Sequence, residues 1–233
     1  MRLLRPLDVY VGAIAACGAA IFCLSVSELS GTAHPVEFTI FTLLALIAGR
    51  FPLKVPGINA FFSVSDTFFV ASAVLFGPAP GTVTIAIDSL MMSYGRGQQA
   101  QRLLFNGSAP ALAFWCGSAV FFWLSGLHPV FGAAVPADAL VLPLAAFAAV
   151  YFVLNSGLTA LAVAMQKQQS PYAVWRSHFM MLALNYFAAA SAAFLLVLLT
   201  EYLSVIALAA VLPLLAVINL AMRSWTGRLE DAE

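Results

Sequence analysis

Residues 61–92 read FFSVSDTFFVASAVLFGPAPGTVTIAIDSLMM, two apolar runs separated by the sequence GPAPG at positions 77–81. Proline and glycine at this density are typical of a turn. Each run contains one aspartate, Asp66 in the first and Asp88 in the second. We therefore predict a hairpin of two apolar segments, 60–77 and 79–94, with one carboxylate in each arm.

The composition around this hairpin is that of a membrane protein. Of the 233 residues, 63% are hydrophobic and 9% are charged, and the mean hydropathy is +0.98. A soluble domain usually has about 25% charged residues. Ten acidic and ten basic side chains cannot cover a globule of this size, whereas lipid can solvate apolar surface directly. We predict an integral membrane protein whose principal partner is the lipid bilayer.

Turn residues divide the chain into apolar segments on both sides of the hairpin. The segments are 8–29, 36–51, 60–77, 79–94, 103–126, 139–165, 178–200 and 203–222. They predict an all-α fold, a polytopic transmembrane bundle of about eight helices over residues 1–222, followed by a cytoplasmic tail at 223–233. Since spanning needs about 20 residues, the second to fourth segments are short. Either about six or about eight crossings are consistent with this pattern, because 60–94 either spans twice or forms a re-entrant hairpin.

The basic residues predict the orientation. They fall in alternate connections: Arg2, Arg5, Arg50, Lys54, Arg96, Arg102, Lys167, Arg176, Arg223 and Arg228. The other connections contain Glu28, His34, Glu37, His128, Asp138 and Glu201, and neither lysine nor arginine. Cytoplasmic connections carry the excess of basic residues, so we predict that both termini are cytoplasmic.

Asp66 and Asp88 are the residues most indicative of function. A carboxylate near the centre of a bilayer costs roughly 2.5–3.5 kcal/mol, so it usually faces the bundle interior and has a partner. Counted from the turn, the two aspartates differ in depth by about 6 Å, which permits proximity across the hairpin. They predict a polar site for a proton, a cation or a small ligand. The alternative is a pair of structural carboxylates bonded to neighbouring Ser, Asn or backbone groups.

Four more polar residues are candidates for this site. Arg102 and Asn106 lie one helical turn apart at the start of the fifth segment, and Arg102 is a candidate partner for Asp66. Asn155 and Asn185 interrupt two later apolar segments. Such amides either line a ligand site or join helices, a role worth about 0.6 kcal/mol on average.

Several classes of function have no support in the sequence. It contains no Gly-rich phosphate loop, no His-Glu-x-x-His sequence and no nucleophile elbow. The three histidines lie in different connections, and the three cysteines are scattered through apolar segments, which argues against a metal cluster or a disulfide framework. The net charge of zero gives no reason to expect a nucleic-acid partner. We expect no enzymatic activity, cofactor, metal or nucleic-acid partner.

Two stretches resemble a known kind of membrane region. They are LKVPGINAFFSVSDTFFVASAVLFGPAPGTVTIAIDSLMMS with RLLFNGSAPAL, from Leu53 to Leu112, and YFVLNSGLTALAVAMQKQQSPYAVWRSHFMMLALNYFAAAS, from Tyr151 to Ser191. Together they are similar to the multi-pass N-terminal regions that precede HD-type cyclic-dinucleotide phosphodiesterases, diguanylate cyclases and histidine kinases in bacteria. The closing GRLEDAE resembles the start of a linker to such a domain. The resemblance implies a sensor region in a bacterial inner membrane, without its output domain.

Two functions are consistent with these features. The first is a signal-input module that binds a small ligand or senses the bilayer and acts on a cytoplasmic signalling domain. The second is a transporter for a small solute or vitamin, or its substrate-capturing membrane subunit, since short helices interrupted by Gly and Pro also suit transporters. Small residues such as those at 188–193 permit close helix contacts, within one chain or in a homo-oligomer.

Overall fold

A computed structural model describes residues 6–50, 64–95, 97 and 99–203, with the backbone alone at 53–54 and 61–62. The α-helices are α1 (Pro6–Glu28), α2 (Pro35–Ala48), α3 (Val64–Phe76), α4 (Pro78–Gly95), α5 (Ala100–Ser125), α6 (Ala137–Lys167), α7 (Pro171–His178) and α8 (Ala183–Leu199). Short 3-10 helices cover Leu29–Gly31 and Met180–Leu182. Two-residue strands, β1 (Leu53–Lys54) and β2 (Phe61–Phe62), form one antiparallel pair.

The all-α prediction is confirmed, and seven of the predicted segments correspond to α1–α6 and α8. The eighth segment from residue 204 onward, the tail at 223–233 and most of the turn around 52–57 lie outside the described residues. Two details were wrong. The third helix begins at Val64 and not at residue 60, because Phe61 and Phe62 pair with Lys54 and Leu53. Helix α7 was missed, because its sequence PYAVWRSH is too polar and too short for an apolar segment.

Proline and glycine set the boundaries of the hairpin. Helix α4 begins at Pro78, where the missing N–H costs no helical hydrogen bond. The single residue between α3 and α4 is Gly77, which has a φ of +108°. A side chain is strongly disfavoured at that φ, so this sharp connection depends on glycine. The predicted turn at 77–81 is confirmed at its first residue, while 78–81 form the first turn of α4.

The shortest of the apolar helices, α3, lies at the centre of the protein. Every residue of α3 except Asp66 is buried, and the helix packs against α2, α4 and α8. Its aromatic side chains join a core that includes Phe41 from α2 and Phe114 and Phe121 from α5. A helix that is enclosed by protein on all sides needs no particular length to match a bilayer.

Four helical spans within the described residues are long and apolar enough to cross a membrane. They are Pro6–Gly31, Ala100–Ser125, Ala137–Lys167 and Met180–Leu199. Pro35–Ala48 and Val64–Phe76 are apolar but shorter. The long helices surround α3 and its neighbours, with α5 packed against α1, α4 and α6, and α6 against α8.

The connections predicted to lack basic residues meet at one end of the bundle, which we name the acidic end. There the ring of His34 lies 4.7 Å from that of Phe131. The backbone N–H groups of Val130 and Phe131 donate to the carbonyls of Val74 and Leu75 near the end of α3, at 3.1 Å each. At the opposite end, the basic end, Gln101 donates to Asp8 over 2.9 Å and links the starts of α5 and α1.

Candidate functional site

A polar contact inside the bundle joins α3 to α8. Asp66 lies in the first turn of α3, and its Oδ2 accepts a hydrogen bond from Nδ2 of Asn185 over 3.0 Å. Asn185 lies in the first turn of α8, so the helices meet near the basic end. Both side chains are partly buried. The contact adds a polar link to the apolar packing between α8 and the central helix.

Asp88 reaches the same region from α4. Its Oδ1 lies 3.0 Å from the point where a Cβ on Gly49 would be, and the Oγ of Ser65 lies 3.5 Å from that point. Gly49 follows the last residue of α2, so its missing side chain lets the end of α2 approach both polar groups. The negative charges of Asp66 and Asp88 repel each other, and the positive charge of Arg50 attracts Asp88. Asp88 and Ser65, the residue before Asp66, therefore both lie beside Gly49, and a site shared by the two aspartates stays a prediction.

An amide and two phenols extend the polar site into α6. Asn155 donates from Nδ2 to the hydroxyl of Tyr186 over 2.7 Å, and Tyr186 directly follows Asn185 in α8. The ring of Tyr186 lies 4.8 Å from that of Tyr151, one helical turn before Asn155. Tyr151 is buried. Helices α2, α3, α4, α6 and α8 thus contribute to one polar site.

Two amide oxygens of the site are buried without a hydrogen bond. They are Oδ1 of Asn155 and Oδ1 of Asn185. An unsatisfied buried acceptor costs about 1–3 kcal/mol, so such groups usually have a structural or functional explanation. Both oxygens are acceptors, and Asn185 bonds directly to Asp66, which favours a ligand that supplies hydrogen-bond donors or positive charge.

The site is connected to the short helix α7 at the basic end. The indole N–H of Trp175 donates to Oγ of Ser156 over 2.8 Å, and Ser156 directly follows Asn155 in α6. Val174 is buried beside Ala160 and Ala164 of α6. Helix α7 is therefore fixed to the same stretch of α6 that holds Tyr186.

The structure brings together four of the six candidates, namely Asp66, Asp88, Asn155 and Asn185. It does not pair Arg102 with Asp66: Arg102 is exposed in the first turn of α5, and the groups acting on Asp66 are Asn185 and Asp88. Arg50 is the cation near Asp88. Asn106 lies partly buried on α5.

Sequence reasoning missed three contributors, Gly49, Tyr151 and Tyr186. Two of them had a detectable signal. Tyr151 lies four residues before Asn155, on the same helical face, and Tyr186 lies beside Asn185. The role of Gly49 had no such signal, because it depends on where α4 places Asp88.

The side chains of the site are suited to bind a ligand through hydrogen bonds or charge. Two carboxylates and two amide oxygens accept hydrogen bonds, and two phenols can donate or accept them. Within the residues that the structure describes, no group of three or more His, Cys, Asp and Glu side chains is placed to hold a metal ion. No protein-family model, curated protein or solved structure matches this chain. Function must therefore be inferred from the polar site itself.

Proposed function

We propose that the chain is a multi-pass membrane signal-input module that binds a small ligand at the polar site of Asp66, Asp88, Asn155 and Asn185. One observation carries this proposal: the hydrogen bond between Asn185 and Asp66 ties the central helix α3 to α8. Helix α8 leads into the C-terminal part of the chain, where a signal to a cytoplasmic partner would leave. A ligand that competes for Asp66 would release α8.

Exposed apolar surface supports the membrane location. Only 17% of the most apolar 18-residue stretch of the first span is buried in the protein, and Leu142 of α6 is 71% exposed. Water would penalise such a surface by roughly 25 cal/mol per Å², whereas lipid would not. Exposed aromatic side chains lie near the helix ends: Trp123 and Tyr202 near the acidic end, and Tyr94 near the basic end. Aromatic residues of this kind are enriched at the two membrane interfaces.

The charge distribution supports the orientation. Arg50, Arg102, Lys167 and Arg176 all lie in connections at the basic end, which we therefore assign to the cytoplasm. Both termini then lie in the cytoplasm, and the membrane is the inner membrane of a bacterium, as the sensor-region resemblance implies. We assign either about six or about eight crossings, because the enclosed helix α3 and its partner α4 either both span or together form a re-entrant hairpin.

The proposed mechanism is a shift between two packings of α8. In the unliganded arrangement Asn185 bonds to Asp66, while Tyr186 bonds to Asn155. A donor-bearing ligand that binds Asp66 and Asp88 would break the first bond and leave the second as a pivot. Interfaces of packed helices respond to such local changes by moving as units. The difference in ligand affinity between the two packings of α8 sets how far the ligand shifts the equilibrium between them.

The test is ligand-dependent thermal stabilisation of the purified chain in detergent. The probes are sodium, ammonium, putrescine and a set of water-soluble vitamins, each compared between the wild-type protein and Asp66→Asn or Asp88→Asn. We expect at least one probe to raise the Tm of the wild type, and both substitutions to remove that rise. Asp138→Asn, at the exposed start of α6 on the acidic end, is the matched control and should retain it.

Two results would count against the proposal. If both aspartate variants fold and keep every ligand response, the polar site is structural. If the stabilising probe is also carried into sealed proteoliposomes by the wild type, the transport alternative replaces sensing. Binding without uptake supports a signal-input role.

A further inference from the structure

We propose a second ligand site, at the acidic end, that binds a compact apolar molecule carrying an ammonium group. The site is a cavity of about 360 Å³ between the α5–α6 connection and the end of α8. Its volume lies within the usual range of small-molecule pockets. It lies at the opposite end of α8 from Asn185, so it is separate from the polar site and does not rest on the proposed function.

The cavity has a mixed lining, in which aliphatic side chains lie beside polar groups. The aliphatic side chains form one part of it. They include Val130 and Val135 from the connection, Leu140 from α6, and Val197 and Leu198 from α8. Leu140 and Val197 belong to the main hydrophobic core, so the floor of the cavity is continuous with the packed interior. An apolar ligand body would cover this surface and remove it from water.

The α5–α6 connection forms a fixed wall. Its residues Val130 and Phe131 donate hydrogen bonds to carbonyls of α3, and the N–H of Ala133 donates to the carbonyl of Val130 over 3.0 Å. Gly132, between them, has a φ of +75°, which closes the turn. A preformed wall of this kind spares a ligand the entropic cost of ordering a loop.

The polar rim offers acceptors. Glu201 contributes a carboxylate to the lining, and the hydroxyl of Thr200 donates to the carbonyl of Val197 over 2.6 Å, which leaves its oxygen free to accept. Among the described residues that line the cavity there is no lysine or arginine, so none of them competes with a ligand for the carboxylate of Glu201. An ammonium group satisfies both acceptors and the charge of Glu201.

The experiment measures binding of 2-phenylethylammonium to the full chain in phosphatidylcholine nanodiscs, with the neutral molecule 2-phenylethanol as a matched ligand. We expect the ammonium compound to bind about fivefold more tightly, as a partly exposed ion pair allows. Glu201→Gln should remove this preference, while Glu28→Gln, an exposed acid at the same end outside the cavity, should keep it. Ala134→Trp, which fills the cavity, should weaken both ligands.

Three outcomes would overturn the site: no binding of the ammonium compound, equal binding of the two ligands by the wild type, or a Glu201→Gln variant that keeps the preference. The Asp66→Asn variant should bind 2-phenylethylammonium as tightly as the wild type does. If Asp66→Asn instead abolished binding and Glu201→Gln left it unchanged, the ligand would lie at the polar site. A last arm uses phosphatidylethanolamine nanodiscs. Competition by this lipid identifies its headgroup as the source of the ammonium, whereas undiminished binding identifies a soluble amine; both results keep the site.

Discussion

Asn185 and Asp66 are separated by 119 positions in the chain and by 3.0 Å between Nδ2 and Oδ2 in the structure. The bond joins the first turn of α8 to the first turn of the most enclosed helix. Apolar packing between α3 and α8 lies beside this bond, and the two together hold the helices against each other.

A double-mutant cycle should detect this contact directly. Asp66→Ala and Asn185→Ala each remove one partner, and we expect a coupling free energy of about 1 kcal/mol, within the range measured for interhelical hydrogen bonds in membrane proteins. The measurement is unfolding in mixed detergent micelles with increasing SDS. The Asp8–Gln101 pair is the matched control: its atoms are equally close at 2.9 Å, but the pair is exposed. The coupling free energy of the Asp8–Gln101 pair should be near zero. Equal coupling free energies in the two pairs would contradict a special role for Asp66.

The helices of this fold were predictable because their signal is local. Apolar runs bounded by proline and glycine residues define α1–α6 and α8. The turn at Gly77 directs α4 back along α3, towards Asp66. Helix α7 was not predictable from hydropathy, because its stability comes from Val174 and Trp175 packing on α6 and not from an apolar run.

The partner of Asp66 could not be predicted from the sequence, for a different reason. Charge pairing suggested Arg102, the basic residue at the start of a neighbouring helix, yet α5 makes little contact with α3 and Arg102 is exposed. The actual partner is a neutral amide on α8, placed by packing between helices far apart in the chain. Such long-range placement has no signature in one sequence.

The close approach of α1 to α5 depends on one glycine. A Cβ at Gly18 would lie 2.6 Å from Cα of Ser108, a backbone atom that cannot move aside. We expect Gly18→Ala to destabilise the protein by about 1–3 kcal/mol through overpacking. Gly12→Ala, six residues earlier in the same helix with no atom within 4 Å of the added Cβ, should be neutral or slightly stabilising. Unfolding of both variants in SDS measures the change in stability. A similar loss of stability in Gly18→Ala and Gly12→Ala would exclude a steric cause.

The attachment of α7 depends on the bond from Trp175 to Ser156. Ser156→Ala should leave the indole N–H without its acceptor and cost about 1 kcal/mol of stability. It should also shift the emission of Trp175, measured with the other tryptophans replaced by phenylalanine. Ser177→Ala is the control on α7, because its hydroxyl bonds to Ala173 of the same helix and is exposed. Unchanged emission and unchanged stability in Ser156→Ala would show that the indole N–H of Trp175 does not bond to Ser156.

The orientation can be tested by labelling single cysteines in cells. Ala33→Cys and Gln169→Cys place an exposed thiol at the acidic end and at the basic end, in a chain whose Cys17, Cys23 and Cys116 are replaced by alanine. Since basic connections remain in the cytoplasm, a membrane-impermeant maleimide added to spheroplasts should label the first variant and not the second. Lysis should then make both thiols reactive, which controls for folding and expression. The reverse pattern would invert the orientation, and equal labelling before lysis would mean that the two ends of the bundle do not face opposite sides of a membrane.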